Sequence, residues 1–84
     1  MAKYDPLNEY LSNLSGKNEI TLSFEQVEKI IQAELPYSAY NHRAWWSNEE
    51  HGVHVSAKAW MGAGWRVETV NQKDCWVKFI RKQR

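Results

Sequence analysis

The sequence predicts a small α+β domain with the element order α-β-α-β-α-β-β and an antiparallel hairpin at its C-terminal end. Three observations predict it. Two early segments carry apolar residues at helical spacing, each behind residues that start helices. Near the end, Trp65-Arg66-Val67-Glu68-Thr69-Val70 alternates between apolar and polar and is followed, after four turn-forming residues, by a second strand-like run. The 84 residues include eleven aromatics, enough to fill one small core, so the chain is read as a single domain over residues 1–84.

The elements follow in order. Asp5-Pro6 opens the first helix, Asp5 as cap and Pro6 at the first helical position. Leu7, Tyr10, Leu11 and Leu14 then form one apolar stripe, and Gly16 terminates it, giving a helix over residues 6–15. Glu19-Ile20-Thr21-Leu22 is a short strand. Ser23-Phe24-Glu25-Gln26 matches a capping box, with Leu22 and Val27 placed as a hydrophobic staple. Val27, Ile30 and Ile31 supply the buried face of a second helix over 24–33, stopped by Pro36.

Residues 36–41 read as a connector and residues 43–47 as a strand or extended segment. Asn48-Glu49-Glu50-His51-Gly52 is a polar loop and the segment expected to move. A third helix spans 54–63, rich in helix formers and ended by Gly64. Residues 65–81 form the hairpin. Helix, strand, helix, helix and two-stranded wing is also the layout of a winged helix, which is the alternative fold; the extended segment at 43–47 departs from it.

Composition narrows the partners. Net charge is +1, too little to argue for strong nonspecific binding to a duplex. Its distribution is uneven: residues 1–34 carry a net of −3, residues 35–64 balance, and residues 65–84 carry +4. The single cysteine, Cys75, excludes an internal disulfide, and no apolar run has the length of a membrane span. No secretory leader is visible, so a cytoplasmic protein without membrane attachment is expected.

Phosphate-loop, nucleophile-elbow and zinc-protease motifs are missing, so no enzyme and no cofactor are expected. Glu49, Glu50, His51 and His54 could act as acids and bases, but on a loop that positions reacting groups poorly. His51 and His54 are spaced by three, with His42 and Cys75 elsewhere in the chain. Paired Cys-x-x-Cys arms are lacking, and no metal site is expected.

The stretch Asn41-His42-Arg43-Ala44-Trp45-Trp46 carries the functional expectation. Successive side chains of a strand point to opposite faces. On a strand, Trp45 and Trp46 would not both enter the core, and the spare indole would form a stacking platform. Arg43 would meet a phosphate in a two-pronged contact. His42 and Asn41 would donate hydrogen bonds, and Arg66 and Lys78 would add charge from the hairpin. Base–aromatic stacking suits any nucleobase. These residues predict a non-catalytic binder of a nucleotide-type ligand, with a symmetric homo-oligomer able to build the pocket between subunits.

Two other readings stand beside it. One is a nucleic-acid-binding module of winged-helix type; its third helix offers only Ser56 and Lys58 as polar contacts and looks like a packing helix. The other is a protein-interaction module using the tryptophan pair as a hot spot.

Several motifs resemble an uncharacterised family of small proteins or domains in bacteria, archaea and their phages. They are Tyr4-Asp5-Pro6-Leu7 with Tyr10-Leu11, Ile20-Thr21-Leu22, Arg43-Ala44-Trp45-Trp46, Ala59-Trp60, and Ala63-Gly64-Trp65-Arg66-Val67. The resemblance covers nearly the whole chain. It implies a mobile-element or defence neighbourhood, in which such a protein could sequester a cyclic nucleotide signal or inhibit a defence enzyme.

Overall fold

The computed structural model describes residues 2–49 and 55–82. The order is α1 (Asp5–Ser12), β1 (Glu19–Ser23), α2 (Phe24–Ile31), α3 (Tyr37–Asn41), a 3-10 turn (Arg43–Trp46), α4 (Val55–Gly62), β2 (Trp65–Asn71) and β3 (Trp76–Arg81). The strands form one antiparallel sheet in the order β1-β3-β2. The helices cover one face of it, so the domain is α+β, as expected. Among the described residues no helix is long and apolar enough to cross a membrane.

Local chemistry explains most of the elements. Ser23 accepts from the Gln26 amide at 3.0 Å while the Gln26 side chain accepts from the Ser23 amide at 2.8 Å, completing the capping box. α2 ends earlier than Pro36 requires, because Gln32 takes a left-handed conformation (φ 56°) and stops it. α1 starts with Asp5 already helical. The Asp5 carboxylate accepts from the Ala2 amide at 3.0 Å and caps no helical amide, which corrects the expected role. The same helix stops at Ser12, before Gly16.

Two segments differ from expectation more deeply. Residues 37–41, read as a connector, form the short helix α3, with Pro36 fixing its entry. Residues 43–46 form a 3-10 turn instead of a strand. A 3-10 turn has three residues per turn, so neighbouring side chains diverge by about 120° rather than by the 180° of a strand. Trp45 and Trp46 therefore both turn inward.

The core is an aromatic stack under the sheet. Trp46 lies face-on between Phe24 (5.1 Å) and Trp60 (5.7 Å), and Trp60 meets Phe79 of β3 at 5.6 Å. Trp45 sits edge-on to Trp46 at 4.6 Å. Leu7 and Leu11 from α1, Val27 and Ile31 from α2, and Val67 and Val77 from the sheet close around the stack. The Ala39 carbonyl accepts from the Trp46 indole at 2.8 Å and from the Gln72 side chain at 2.9 Å, tying α3 to the hairpin turn. Gly62 lets α4 approach α1 closely; a methyl there would stand 3.2 Å from the Asn8 amide nitrogen.

Candidate functional site

The tryptophan doublet is not an open platform. Trp45 is 6% and Trp46 2% exposed, so the expectation of one free indole is corrected: both rings are core. Asn41, His42 and Arg43 lie on the surface beside them. The Asn41 side chain donates to the Tyr37 carbonyl at 3.0 Å, and the His42 ring packs on Tyr37 at 5.9 Å. Arg43 forms no ion pair among the described residues. It lacks the exposed indole it was expected to serve.

The two hairpin cations lie on the outer face of the sheet, away from that stretch. Lys78 sits between Glu68 (3.2 Å) and Glu19 (3.4 Å), one carboxylate from each neighbouring strand. Those hydrogen bonds, to Glu68 first and then Glu19, raise its ammonium pKa. Its charge is thus already answered inside the sheet, which corrects its expected use on a ligand phosphate. Arg66 is exposed opposite Ile80. Asn41, His42 and Arg43 on one side and Arg66 and Lys78 on the other therefore do not make one site.

A different place offers a concave surface. A cleft of about 460 Å³ opens between the N-terminal segment and α4, lined by Lys3, Tyr4, Asp5, Asn8, Lys58 and Ala59 among others, with mainly apolar walls. Three of the lining residues are held by contacts on either side of it. The Tyr4 ring rests edge-on against buried Trp45 at 5.8 Å. Burial pushes the Tyr4 hydroxyl above its ordinary pKa, so it stays a hydrogen-bond donor at neutral pH. Asn8 is clamped to α4 by donating to the Ala59 carbonyl at 2.9 Å. The Asp5 carboxylate is engaged with the Ala2 amide. Two lysines, Lys3 and Lys58, line this cleft, the Lys3 ammonium lying 5.8 Å from the Tyr4 ring centre, and its one carboxylate is already bonded.

Sequence reasoning missed this cleft, apart from Lys58. The signal was present in Tyr4: an aromatic just ahead of the apolar stripe of α1, with Lys3 beside it. What could not be read was that Trp45 would back that ring.

Among the described residues no group of three His, Cys, Asp or Glu is placed to hold a metal. Glu50, His51 and His54, and the loop expected to move, lie wholly or largely outside the described residues. Searches of curated proteins and of solved structures each found no match. A family model does match residues 4–82. The chain belongs to the family described as Domain of unknown function (DUF7662).

Proposed function

We propose that this domain is a non-catalytic binding protein for a compact, flat, anionic ligand of nucleotide type, held in the cleft between the N-terminal segment and α4. One observation carries the reading: a tyrosine and two lysines line one mainly apolar concavity of about 460 Å³. Apolar walls with a few placed polar groups are the usual make-up of a small-molecule site. Tyr4 offers a face or a hydroxyl to a base, and Lys3 and Lys58 supply charge for one or two phosphates. Trp45 acts here as a positioning residue behind Tyr4. Sequestration of a signalling nucleotide needs nothing more than such a site.

Calorimetric titration with a panel of mononucleotides and cyclic di- and oligonucleotides tests it. Micromolar or tighter binding of one member is expected, abolished by Lys58→Glu and retained by Arg66→Ala. Tryptophan fluorescence should change on binding, since Trp45 touches Tyr4. Heat absent across the panel, or binding unaffected by Lys58→Glu, would overturn the reading.

The connectivity favours a second reading, a nucleic-acid-binding module of winged-helix layout. α4 argues against it as a groove reader: Ser56, Ala57, Ala59 and Trp60 are buried, and Lys58 is its one exposed charged side chain among the described residues. Contact would then fall to Arg66 and Lys73 on the hairpin. Binding to DNA or RNA that weakens steeply with salt would support this reading, and no binding at low salt would remove it.

A further inference from the structure

Lys58 borders two concavities. One is the cleft of about 460 Å³ that it lines together with Tyr4, Asn8 and Ala59. The other, of about 290 Å³, is lined by Lys58, Met61, Gly62 and Glu49. Successive residues of an α-helix are turned by about 100° around its axis. From Lys58, Ala59 therefore lies about 100° to one side of α4 and Met61 about 60° to the other. The two hollows meet at Lys58. Gly62 has no side chain to divide them: a methyl there would stand 3.2 Å from the amide nitrogen of Asn8, which lines the cleft.

The second hollow differs in chemistry from the first. Met61 is half-buried against the core and presents a soft apolar wall of the kind that packs on the edge of an aromatic ring. Glu49 is exposed and, among the described residues, forms no ion pair with Lys58 or any other cation. A carboxylate only accepts hydrogen bonds, and it repels a phosphate. The group suited to this hollow is therefore flat, uncharged and edged with adjacent N–H donors. Guanine has that edge, since its ring N–H and its exocyclic amine point the same way and one carboxylate accepts from both. Adenine sets a donor beside an acceptor and lacks it. On its own, the second hollow sits at the foot of the roughly 300–1,000 Å³ usual for a small-molecule site. As an extension of the cleft it needs no independent affinity.

We infer that the two hollows form one bipartite site for a dinucleotide: one base in the cleft against Tyr4, a phosphate on Lys58, and a guanine between Met61 and Glu49. The inference rests on the reading of the cleft as a nucleotide site and names the ligand more closely. Charge sets the direction. Lys3 and Lys58 answer phosphates at the cleft and at the junction, and Glu49 keeps them from the far end. The second base then binds as an intramolecular event, which raises affinity well above that of either half. Linear and cyclic dinucleotides share this base–phosphate–base unit.

Calorimetric titration compares adenosine monophosphate with linear adenylyl-guanosine, linear adenylyl-adenosine and the cyclic adenosine–guanosine dinucleotide. The monophosphate reports the cleft alone. At least one of the two guanine-containing dinucleotides should bind about tenfold to hundredfold tighter than it, and adenylyl-adenosine should gain much less. Which of the two gains more separates a linear from a cyclic ligand. Glu49→Gln, at an exposed position, should bring the guanine-containing dinucleotides back toward the affinity of the monophosphate and leave the monophosphate unchanged. Guanine-containing dinucleotides that bind no tighter than the monophosphate overturn the inference and leave the reading of the cleft standing. So does a Glu49→Gln protein that keeps the full gain. Absence of binding by every one of these compounds overturns the inference together with that reading.

Discussion

Asn48 takes the place of a missing strand beside Val67. Its amide group makes a donor and an acceptor bond to that one residue, and its Oδ1 also accepts from the Trp60 indole at 2.9 Å. One side chain thus joins the sheet edge to the aromatic stack. Asn48→Ala would leave two backbone groups and an indole N–H without partners. A loss of about 2–3 kcal/mol is expected in urea denaturation. The variant should also aggregate more readily, because the β2 edge becomes available for pairing. Asn48→Asp keeps the acceptor and loses the donor, and should fall between the two.

The doublet gives a second test. If Trp45 and Trp46 are both core, Trp45→Ala and Trp46→Ala should each destabilise the fold by about 3–5 kcal/mol. That is a large part of the stability of a small domain, about 5–15 kcal/mol. Trp46→Ala should cost more, since it breaks a face-on stack with Phe24 and Trp60 and a bond to Ala39. Thermal melts followed by circular dichroism decide this. A Trp45 variant of wild-type stability would restore the idea of a spare indole.

Much of the fold was legible because it rests on local signals. The capping box at Ser23 and the alternation in residues 65–70 each act within a few residues, and both appear where the pattern puts them. The 3-10 turn was not legible. Arg-Ala-Trp-Trp has no cap and no period, and its backbone is decided by two indoles finding room on either side of Phe24 and Tyr4. The candidate site was hidden for the same reason. Lys58 is far in sequence from Lys3 and Tyr4 and meets them only once α4 docks on α1 through Asn8. Lys78 was read as a free cation because the carboxylates beside it come from two other strands.

Glu28 and Tyr40 give a pH-dependent test. The Glu28 carboxylate accepts from the Leu35 amide at 2.8 Å and from the Tyr40 hydroxyl at 2.9 Å, fastening the segment after α2. Burial, and then the bond to Glu28, push the Tyr40 hydroxyl up to about 12. A folded-state pKa above the unfolded value of 10.0 means that the fold holds the proton more tightly. The associated stability is therefore complete below pH 10 and is lost as pH rises from there toward 12. Tyr40→Phe should lower stability at neutral pH by about 1–2 kcal/mol and flatten the alkaline decline. Urea midpoints measured from neutral to alkaline pH read both effects.

Two arginines exchange the roles that their sequence settings suggest. Arg43, set beside two tryptophans, is exposed and without an ion pair among the described residues. Arg81, which looks like part of a solvated basic tail, is structural. Its guanidinium lies 4.5 Å from the Trp65 ring centre and donates to the Leu14 carbonyl at 2.8 Å and the Lys17 carbonyl at 3.0 Å. It thereby satisfies the chain leaving α1 and covers the base of the hairpin. A lysine has neither the planar stack nor the forked donors. Arg81→Lys should cost about 1–2 kcal/mol and Arg81→Ala about 2–3 kcal/mol in urea denaturation. Arg43→Ala should stay within about 0.5 kcal/mol of wild type in the same measurement, as surface changes without partners do. A large loss at Arg43 with none at Arg81 would reverse this assignment.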